Sequence, residues 1–262
     1  MEAILKRTIR SGNASAVVLP KTWLDKRVRI ELVDMTYEAI LYDILDILKS
    51  TMSLSEIIGI YLVGSYARKD QTDESDIDIL VISEKTDKET IKKDNYEIMI
   101  VSLGLLNYKL KENLFPIGSM LKEANPLLNS NFLNEIKIEV TKKNIKWYLE
   151  TTKDQLKKVK SSIDLIESKK PDGKLSDAVA YSLILRLRTL YAIDCLINNK
   201  QYSKSEFIKL TKDISGSLTA YNQYLYAKSH DENKRELPLN EGKKLYLYVK
   251  DYLEKVTHSV KS

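Results

Sequence analysis

Apolar residues recur along the chain with two different spacings. Three short runs, at 56–63, 75–81 and 96–102, are continuous or nearly so and rich in β-branched residues, which predicts buried strands. Residues 37–50 show helical spacing instead. The apolar positions of this predicted helix are Ile40, Leu41, Ile44, Leu45 and Leu48. Ser102 is placed to cap a further helix after the third run.

From about residue 142 helical periodicity dominates. A single stripe of the first helix contains Ile145, Leu149, Thr152, Leu156, Val159, Ile163 and Ile166. The predicted helices then cover 142–169, 177–199 after a cap at Ser176, a segment after the capping-box pair Ser203 and Glu206, 218–229 and 240–258. Successive amphipathic helices with short connections predict a bundle of four to five helices.

The first 34 residues read as short β structure. Gly12-Asn13 is a turn signal between two short runs, and residues 27–32 alternate basic and apolar side chains, which predicts a third strand. The segment holds seven basic and four acidic residues, a net charge of +3. They are Lys6, Arg7, Arg10, Lys21, Lys26, Arg27 and Arg29 against Glu2, Asp25, Glu31 and Asp34.

Composition limits the class of protein. The 262 residues are 43% hydrophobic and include one cysteine, Cys195, which rules out an intramolecular disulfide framework and suits a reducing cytoplasm. No apolar run reaches bilayer length, so we expect a soluble, cytoplasmic protein that does not act at a membrane. The net charge of +5 permits an anionic partner without requiring one.

Two of the predicted strands flank a group of chemically unusual residues. The first strand ends at Gly64-Ser65, where glycine lets a phosphate approach the backbone and the serine hydroxyl can donate to it, and Arg68 adds a cation. The second opens with Asp76 and Asp78, whose side chains share one face of a strand, with Cα atoms roughly 6–7 Å apart. Carboxylates so placed bind Mg²⁺ together with phosphate oxygens.

Gly64-Ser65, ten intervening residues and Asp76-Ile77-Asp78 together resemble the signature of the DNA polymerase β nucleotidyltransferase superfamily. The match is closest to the minimal, antitoxin-type AMP transferases and the aminoglycoside nucleotidyltransferases, over about residues 36–140. The resemblance implies a mixed α/β core, a nucleoside triphosphate substrate with ATP expected, Mg²⁺ at a two-metal site, and release of pyrophosphate.

The family has a third carboxylate on a neighbouring strand, and Glu97 is the matching position. Strand alternation places it opposite the apolar face, where a carboxylate either binds metal or accepts the proton of the attacking hydroxyl. The family more often has aspartate there, and a solvated strand-edge glutamate or a role for Asp94 are the alternatives. Two further departures are Tyr66, where arginine is common, and Lys69, where glycine is common.

Both ends of the chain carry weaker resemblances. Residues 1–34 resemble the swapped-hairpin unit of AbrB-like regulators, which implies a homodimer and DNA as a partner, although a solvated arm used only for dimerisation is an equal alternative. The bundle resembles the helical companions of nucleotidyltransferases. Arg186 and Arg188 stand in its most apolar helix, either facing the cleft or paired with an acid such as Asp194.

The sequence therefore predicts an α+β fold: a β arm over 1–34, a mixed-sheet nucleotidyltransferase core over 35–140 and a helical bundle over 141–262. The expected activity is transfer of AMP to a hydroxyl on a protein, an RNA end or a small molecule. Asp76, Asp78 and Glu97 are the predicted metal-binding and catalytic residues, and Gly64, Ser65 and Arg68 the predicted nucleotide-binding residues. The alternative is an antitoxin-like, DNA-binding regulator whose core binds nucleotide without turnover.

Overall fold

We describe the fold from a computed structural model of the chain. It describes residues 4, 6, 8–31, 36–72, 75–170, 172–228 and 236–260. The chain divides into two compact units, Met1–Thr36 and Tyr37–Ser262. The predicted boundary near residue 140 stays a prediction, because the sheet and the helical bundle both belong to the second unit. Among the residues described, no helix combines the length and the apolar character that crossing a bilayer requires.

The first unit contains a small hairpin. Strands β1 (Ile9–Ser11) and β2 (Ala14–Ala16) pair antiparallel around Gly12, whose φ of +60° suits a tight turn. The predicted third strand is wrong for residues 27–31, which form no strand within this chain. A short ribbon gives such a strand no partner to complete its hydrogen bonds. Of the charged residues counted above, Glu2, Arg7 and Asp34 lie outside the described residues.

The second unit begins with a five-stranded sheet and its covering helices. In chain order these elements are α1 (Tyr37–Leu48), β3 (Ile57–Val63), α2 (Gly64–Arg68), β4 (Ile77–Ser83), β5 (Lys88–Lys93), β6 (Tyr96–Ser102), α3 (Leu103–Glu112), α4 (Ile117–Glu123), β7 (Asn125–Leu128) and α5 (Ser130–Glu135). The strand order is β5-β6-β4-β3-β7, with β4 and β6 parallel and the other pairs antiparallel. The predicted mixed sheet is confirmed.

Side-chain alternation separates two cores on the two faces of this sheet. Helix α1 packs against one face through Ile40, Ile44, Ile47 and Leu48. On the other face, residues of α3 and α4 pack against Leu80 and Ile82 of β4. Asp78 follows the same alternation as Leu80, so it lies on the α4 face of the sheet.

Over the described part of residues 142–260, five helices complete the second unit and confirm the predicted bundle. They are α6 (Lys142–Lys169), α7 (Asp177–Ile197), α8 (Lys204–Ser215), α9 (Thr219–Lys228) and α10 (Leu239–Ser259), with the two-residue strands β8 (Lys174–Leu175) and β9 (Leu237–Pro238) between them. The predicted caps fall at the helix starts. The hydroxyl of Ser203 accepts from the Glu206 N–H, whereas Ser176 makes no side-chain capping hydrogen bond. The fold is α+β, as predicted.

Candidate functional site

The sheet register brings the predicted carboxylates together. Asp78 of β4 and Glu97 of β6 are directly opposed residues of a parallel strand pair, so both side chains emerge on the same face. Asp76 stands immediately before β4 and is exposed at the same end. The hydrogen bond from the Ile77 N–H to the carbonyl of Asn95, at 2.7 Å, fixes this end of β4 against the turn that leads into β6.

Gly64 forms the other wall of the site. Val63 is the register partner of Asp78 across β3 and β4, which places the next residue, Gly64, beside the Asp78 carboxylate. A β-carbon built on Gly64 would lie 1.9 Å from Asp78 Oδ2, and the φ of Gly64 is +68°. Glycine is therefore required twice, for the backbone conformation and for the space that the carboxylate occupies.

The electrostatics of Asp78 are those of an uncompensated acid. Burial, and then the charges of Glu97 and Asp76, raise the pKa of Asp78 to about 6, although Arg68 acts in the opposite direction. Glu97 has a cationic neighbour: Lys92 of the edge strand β5 lies 3.0 Å from Glu97 Oε2, with 36% of the Glu97 side chain exposed. Carboxylates gathered with so little positive charge favour a bound cation.

The residues present fit Mg²⁺ held jointly with phosphate. Across the described ranges, no group of three or more His, Cys, Asp or Glu side chains is arranged to hold a metal ion. Mg²⁺, however, is commonly bound by one or two protein carboxylates, with substrate phosphates and waters completing its octahedron. Asp76 and Asp78, on one side of Gly64-Ser65, are hard oxygen donors of that type.

The structure also places Tyr66, Ser75 and Asp94. Tyr66 packs against the core beneath α1. Ser75 makes local turn contacts with Thr72, whose N–H donates to the Ser75 hydroxyl at 2.8 Å. Asp94 occupies the β5–β6 turn with a φ of 56° and is exposed. The surroundings of Tyr66 are those of a core residue, and the alternative role of Asp94 stays a prediction.

Arg68 is engaged by acids that the sequence analysis did not identify. Its Nη1 donates to Glu123 Oε2 at 2.7 Å and its Nε to Asp70 Oδ2 at 3.3 Å, and its guanidinium lies 5.6 Å from the ring centroid of Tyr202. The second oxygen of Glu123 accepts the Gly64 N–H at 2.8 Å. Glu123 is 55 residues from Arg68 in sequence, so no local pattern announces the contact.

The two arginines of α7 have no acid partner among the residues that the structure describes. Arg188 donates to the Tyr224 hydroxyl at 3.0 Å and lies 5.7 Å from the centroid of Tyr202, the ring that Arg68 also contacts. Arg186 reaches the hydroxyl of Thr151 at 3.4 Å. The alternative that paired them with Asp194 is wrong, because their side chains contact Thr151 and Tyr224 and neither forms an ion pair with Asp194, which lies 4.0 Å from Lys255.

A comparison with protein families decides the assignment. Residues 41–172, just over half of the chain, match the family model described as a nucleotidyltransferase domain. The chain belongs to the nucleotidyltransferase domain family. It is accordingly a nucleotidyltransferase enzyme, and the matched segment contains the Gly64-Ser65 turn and all three carboxylates. The resemblance to polymerase β-type nucleotidyltransferases is thereby confirmed at the level of the family.

Solved structures similar to this nucleotidyltransferase are distant. A nucleotidyltransferase-like protein from Exiguobacterium sibiricum is 13% identical, with a TM-score of 0.39, over 84% of this chain and 76% of its own. Spectinomycin adenyltransferase from Enterococcus faecialis, solved with ATP and spectinomycin, is 15% identical with a TM-score of 0.39, over 84% of this chain and 99% of its own. A search of curated proteins finds no match.

Lys69 is one of the two departures from the family pattern, and the strain in its backbone conformation can be tested. Lys69 ends α2 in the left-handed conformation, with φ 60° and ψ 33°, and its side chain is exposed. A non-glycine residue is strained there, by about 1–2 kcal/mol. Lys69→Gly should therefore raise the free energy of unfolding by about 0.5–1 kcal/mol, after the greater backbone freedom of glycine in the unfolded chain is subtracted.

The urea midpoint of unfolding measures this effect. The matched control is Lys170→Gly, at an exposed helix C-cap whose φ is −155°, where glycine relieves no strain and should lower the midpoint. A drop in both variants would show that the left-handed conformation at Lys69 carries no strain.

Proposed function

We propose that this nucleotidyltransferase transfers a nucleoside monophosphate, with AMP as the expected group, from a nucleoside triphosphate to a hydroxyl acceptor. The observation that carries the proposal is that Asp78 lies directly opposite Glu97 on the neighbouring strand. Its partner on the other side, Val63, immediately precedes the Gly64-Ser65 turn. In the reaction the acceptor oxygen bonds to the α-phosphorus, the bond from that phosphorus to the bridging oxygen breaks, and pyrophosphate leaves.

Each site residue has a distinct role in this scheme. Gly64 lets the triphosphate approach the backbone, and Ser65 offers its hydroxyl as a donor. Asp76 and Asp78 are the residues that would hold Mg²⁺, which when bound supplies charge stabilisation to the attacking and leaving oxygens. Glu97 accepts the proton of the acceptor hydroxyl, a step for which its partly exposed position beside Asp78 is suited. Arg68 as a direct phosphate ligand stays a prediction.

The acceptor class follows from the chemistry and not from the fold. A hydroxyl on a protein, an RNA end or a small molecule each presents the same nucleophile, and specificity between them depends on the shape of the cleft. Tyr202, in the connection between α7 and α8, has the guanidinium groups of Arg68 and Arg188 within 5.7 Å of its ring centroid, so this part of the bundle lies close to α2. We propose that acceptors are selected along this side.

The direct test uses ATP labelled at the α-phosphate. We expect label to appear on an acceptor, with self-modification as the first to be tried, in the presence of Mg²⁺, and to disappear when EDTA removes the metal. Label at the γ-position, which leaves with pyrophosphate, is the control and should not transfer. A parent that binds Mg²⁺ and ATP but labels nothing would favour the antitoxin-like alternative, in which the core senses nucleotide without turnover.

We also propose that the arm over residues 1–34 joins two copies of the chain into a homodimer. Its apolar side chains are exposed within one chain: Val18, Leu24 and Ile30 are each more than 60% accessible. So small a segment cannot bury its own apolar surface, and a second arm can. An AbrB-like arrangement of this kind would also set basic residues along one ribbon, where DNA phosphates bind.

Light scattering of the full chain and of a chain that begins at Thr36 tests this assembly. We expect a dimer for the first and a monomer for the second, at equal concentration. Identical masses for the two would remove the arm from dimerisation. DNA binding is measured separately by fluorescence anisotropy at two salt concentrations, because phosphate contacts weaken as salt rises.

A further inference from the structure

Glu123 is an acid in a place where charge is costly. It ends α4, its side chain is 9% exposed, and burial raises its pKa even though Arg68 and the Gly64 N–H act to lower it. An ionised carboxylate persists in such surroundings when each oxygen has a donor. Both do: Oε1 accepts the Gly64 N–H at 2.8 Å and Oε2 accepts from Arg68 at 2.7 Å.

The contact between Arg68 and Glu123 supports the site. The Arg68 side chain is 17% exposed and has two acids and a ring as neighbours, Glu123, Asp70 and Tyr202. Its guanidinium is therefore fixed in direction, and it fixes Glu123 in turn. Since Gly64 lies against the Asp78 carboxylate, a shift of the Gly64 amide would move both the turn and Asp78.

We infer that Glu123 is a positioning residue of the nucleotidyltransferase site, holding the Gly64-Ser65 turn in the conformation that binds the triphosphate. The inference rests on the proposed function and deepens it. Glu123 does not touch the reacting atoms. It acts through the Gly64 amide, and Arg68 holds its carboxylate in place.

The same contacts would also serve an opposite role, and the test must distinguish the two roles. A carboxylate on a backbone N–H and a guanidinium also resembles a bound phosphate, so Glu123 would then compete with the nucleotide. A brace and a competitor predict opposite signs. Weakening a brace lowers nucleotide affinity, whereas removing a competitor raises it. The burial of Glu123, on the side of Gly64 that α4 covers, favours the brace.

Glu123→Gln tests the brace with nearly unchanged shape. One amide oxygen can serve either the Gly64 N–H or Arg68, and the amide NH₂ then faces the other donor, so one contact is lost in either orientation. Glu123→Asp keeps two charged oxygens on a shorter side chain and should rescue part of the effect. Glu135→Gln, an exposed glutamate at the end of α5, is the matched control.

The measurement is calorimetric titration with Mg²⁺ and the α,β-methylene analogue of ATP, which cannot be turned over. We expect the dissociation constant to rise about 10–100-fold in Glu123→Gln, a loss typical of residues that orient a ligand. It should rise less in Glu123→Asp and stay unchanged in Glu135→Gln. In the transfer assay KM for ATP should rise by a similar factor, while kcat at saturation falls by less than about threefold.

Hydrogen exchange across residues 61–68 gives a readout without nucleotide. Exchange should accelerate most in Glu123→Gln, less in Glu123→Asp, and stay unchanged in Glu135→Gln. Unchanged affinity, or tighter binding, in Glu123→Gln would overturn the inference while leaving the proposed function standing. Conversely, a parent that binds the analogue but never transfers label would end the proposed function, and the affinity series would still decide the role of Glu123. A parent that binds no nucleotide would overturn both.

Discussion

Replacing Asp76 and Asp78 together by asparagine is expected to lower AMP transfer by about a thousandfold or more. The substitution removes two anionic oxygen donors, of which Asp78 lies beside Gly64, and nearly preserves shape. Several kcal/mol of charge stabilisation in the transition state is lost with them, and each 1.36 kcal/mol corresponds to a factor of ten in rate. The assay is Mg²⁺-dependent transfer of label from α-labelled ATP, with parent and variant at equal concentration.

The unfolding temperature of the metal-free protein is the control for this double variant. The folded-state pKa of Asp78 is raised to about 6 from its ordinary 3.8, so ionising it costs stability as the pH rises through that range. Asparagine carries no such cost. At pH 7 without metal the double variant should unfold at the same temperature as the parent or higher. Transfer at the parental rate by a folded double variant would show that these aspartates are not the site.

Local pattern in the sequence predicted the strands that carry the candidate site. The apolar runs place β3, β4 and β6 within a residue or two of their ends, and alternation along a strand underlies the prediction that Asp76 and Asp78 share a face. The parallel register of β4 and β6 required the structure, because nothing in either run states which residue lies opposite Glu97. The structure shows that this residue is Asp78, so the two carboxylates lie side by side.

Edge strands and tertiary contacts could not be predicted from a single sequence. Strand β5 shows no apolar pattern by which a single sequence would reveal it, since an edge strand that faces water needs no apolar face and Lys88–Lys93 has little of one. In the sequence, nothing distinguishes Glu123 from an ordinary glutamate at a helix end. Only the tertiary packing of α4 on Gly64 makes it a buried acid. Lys69 was noted as a departure, but the left-handed backbone that makes it one appears only in the structure.

Glu97→Gln is the second variant with a large expected effect. General-base catalysis contributes about 10²–10⁴-fold, so transfer should fall by about a thousandfold if Glu97 accepts the acceptor proton. Binding of the nonhydrolysable analogue with Mg²⁺ should be largely retained, because Asp76, Asp78 and the Gly64-Ser65 turn are untouched. This separates Glu97 from the aspartates, whose loss should weaken nucleotide binding as well.

The ion pair of Glu97 with Lys92 supplies the control that isolates its chemistry. Lys92 is 72% exposed, and an exposed ion pair of this kind contributes little to stability. Lys92→Gln should therefore change the transfer rate only a few-fold, and so show that breaking the pair is not what inactivates Glu97→Gln. Equal losses in both variants would mean that the pair, and not the carboxylate, matters. If Glu97→Gln retains full transfer, proton removal falls to solvent or to the acceptor itself, and Glu97 is then a solvated residue of the strand beside the site.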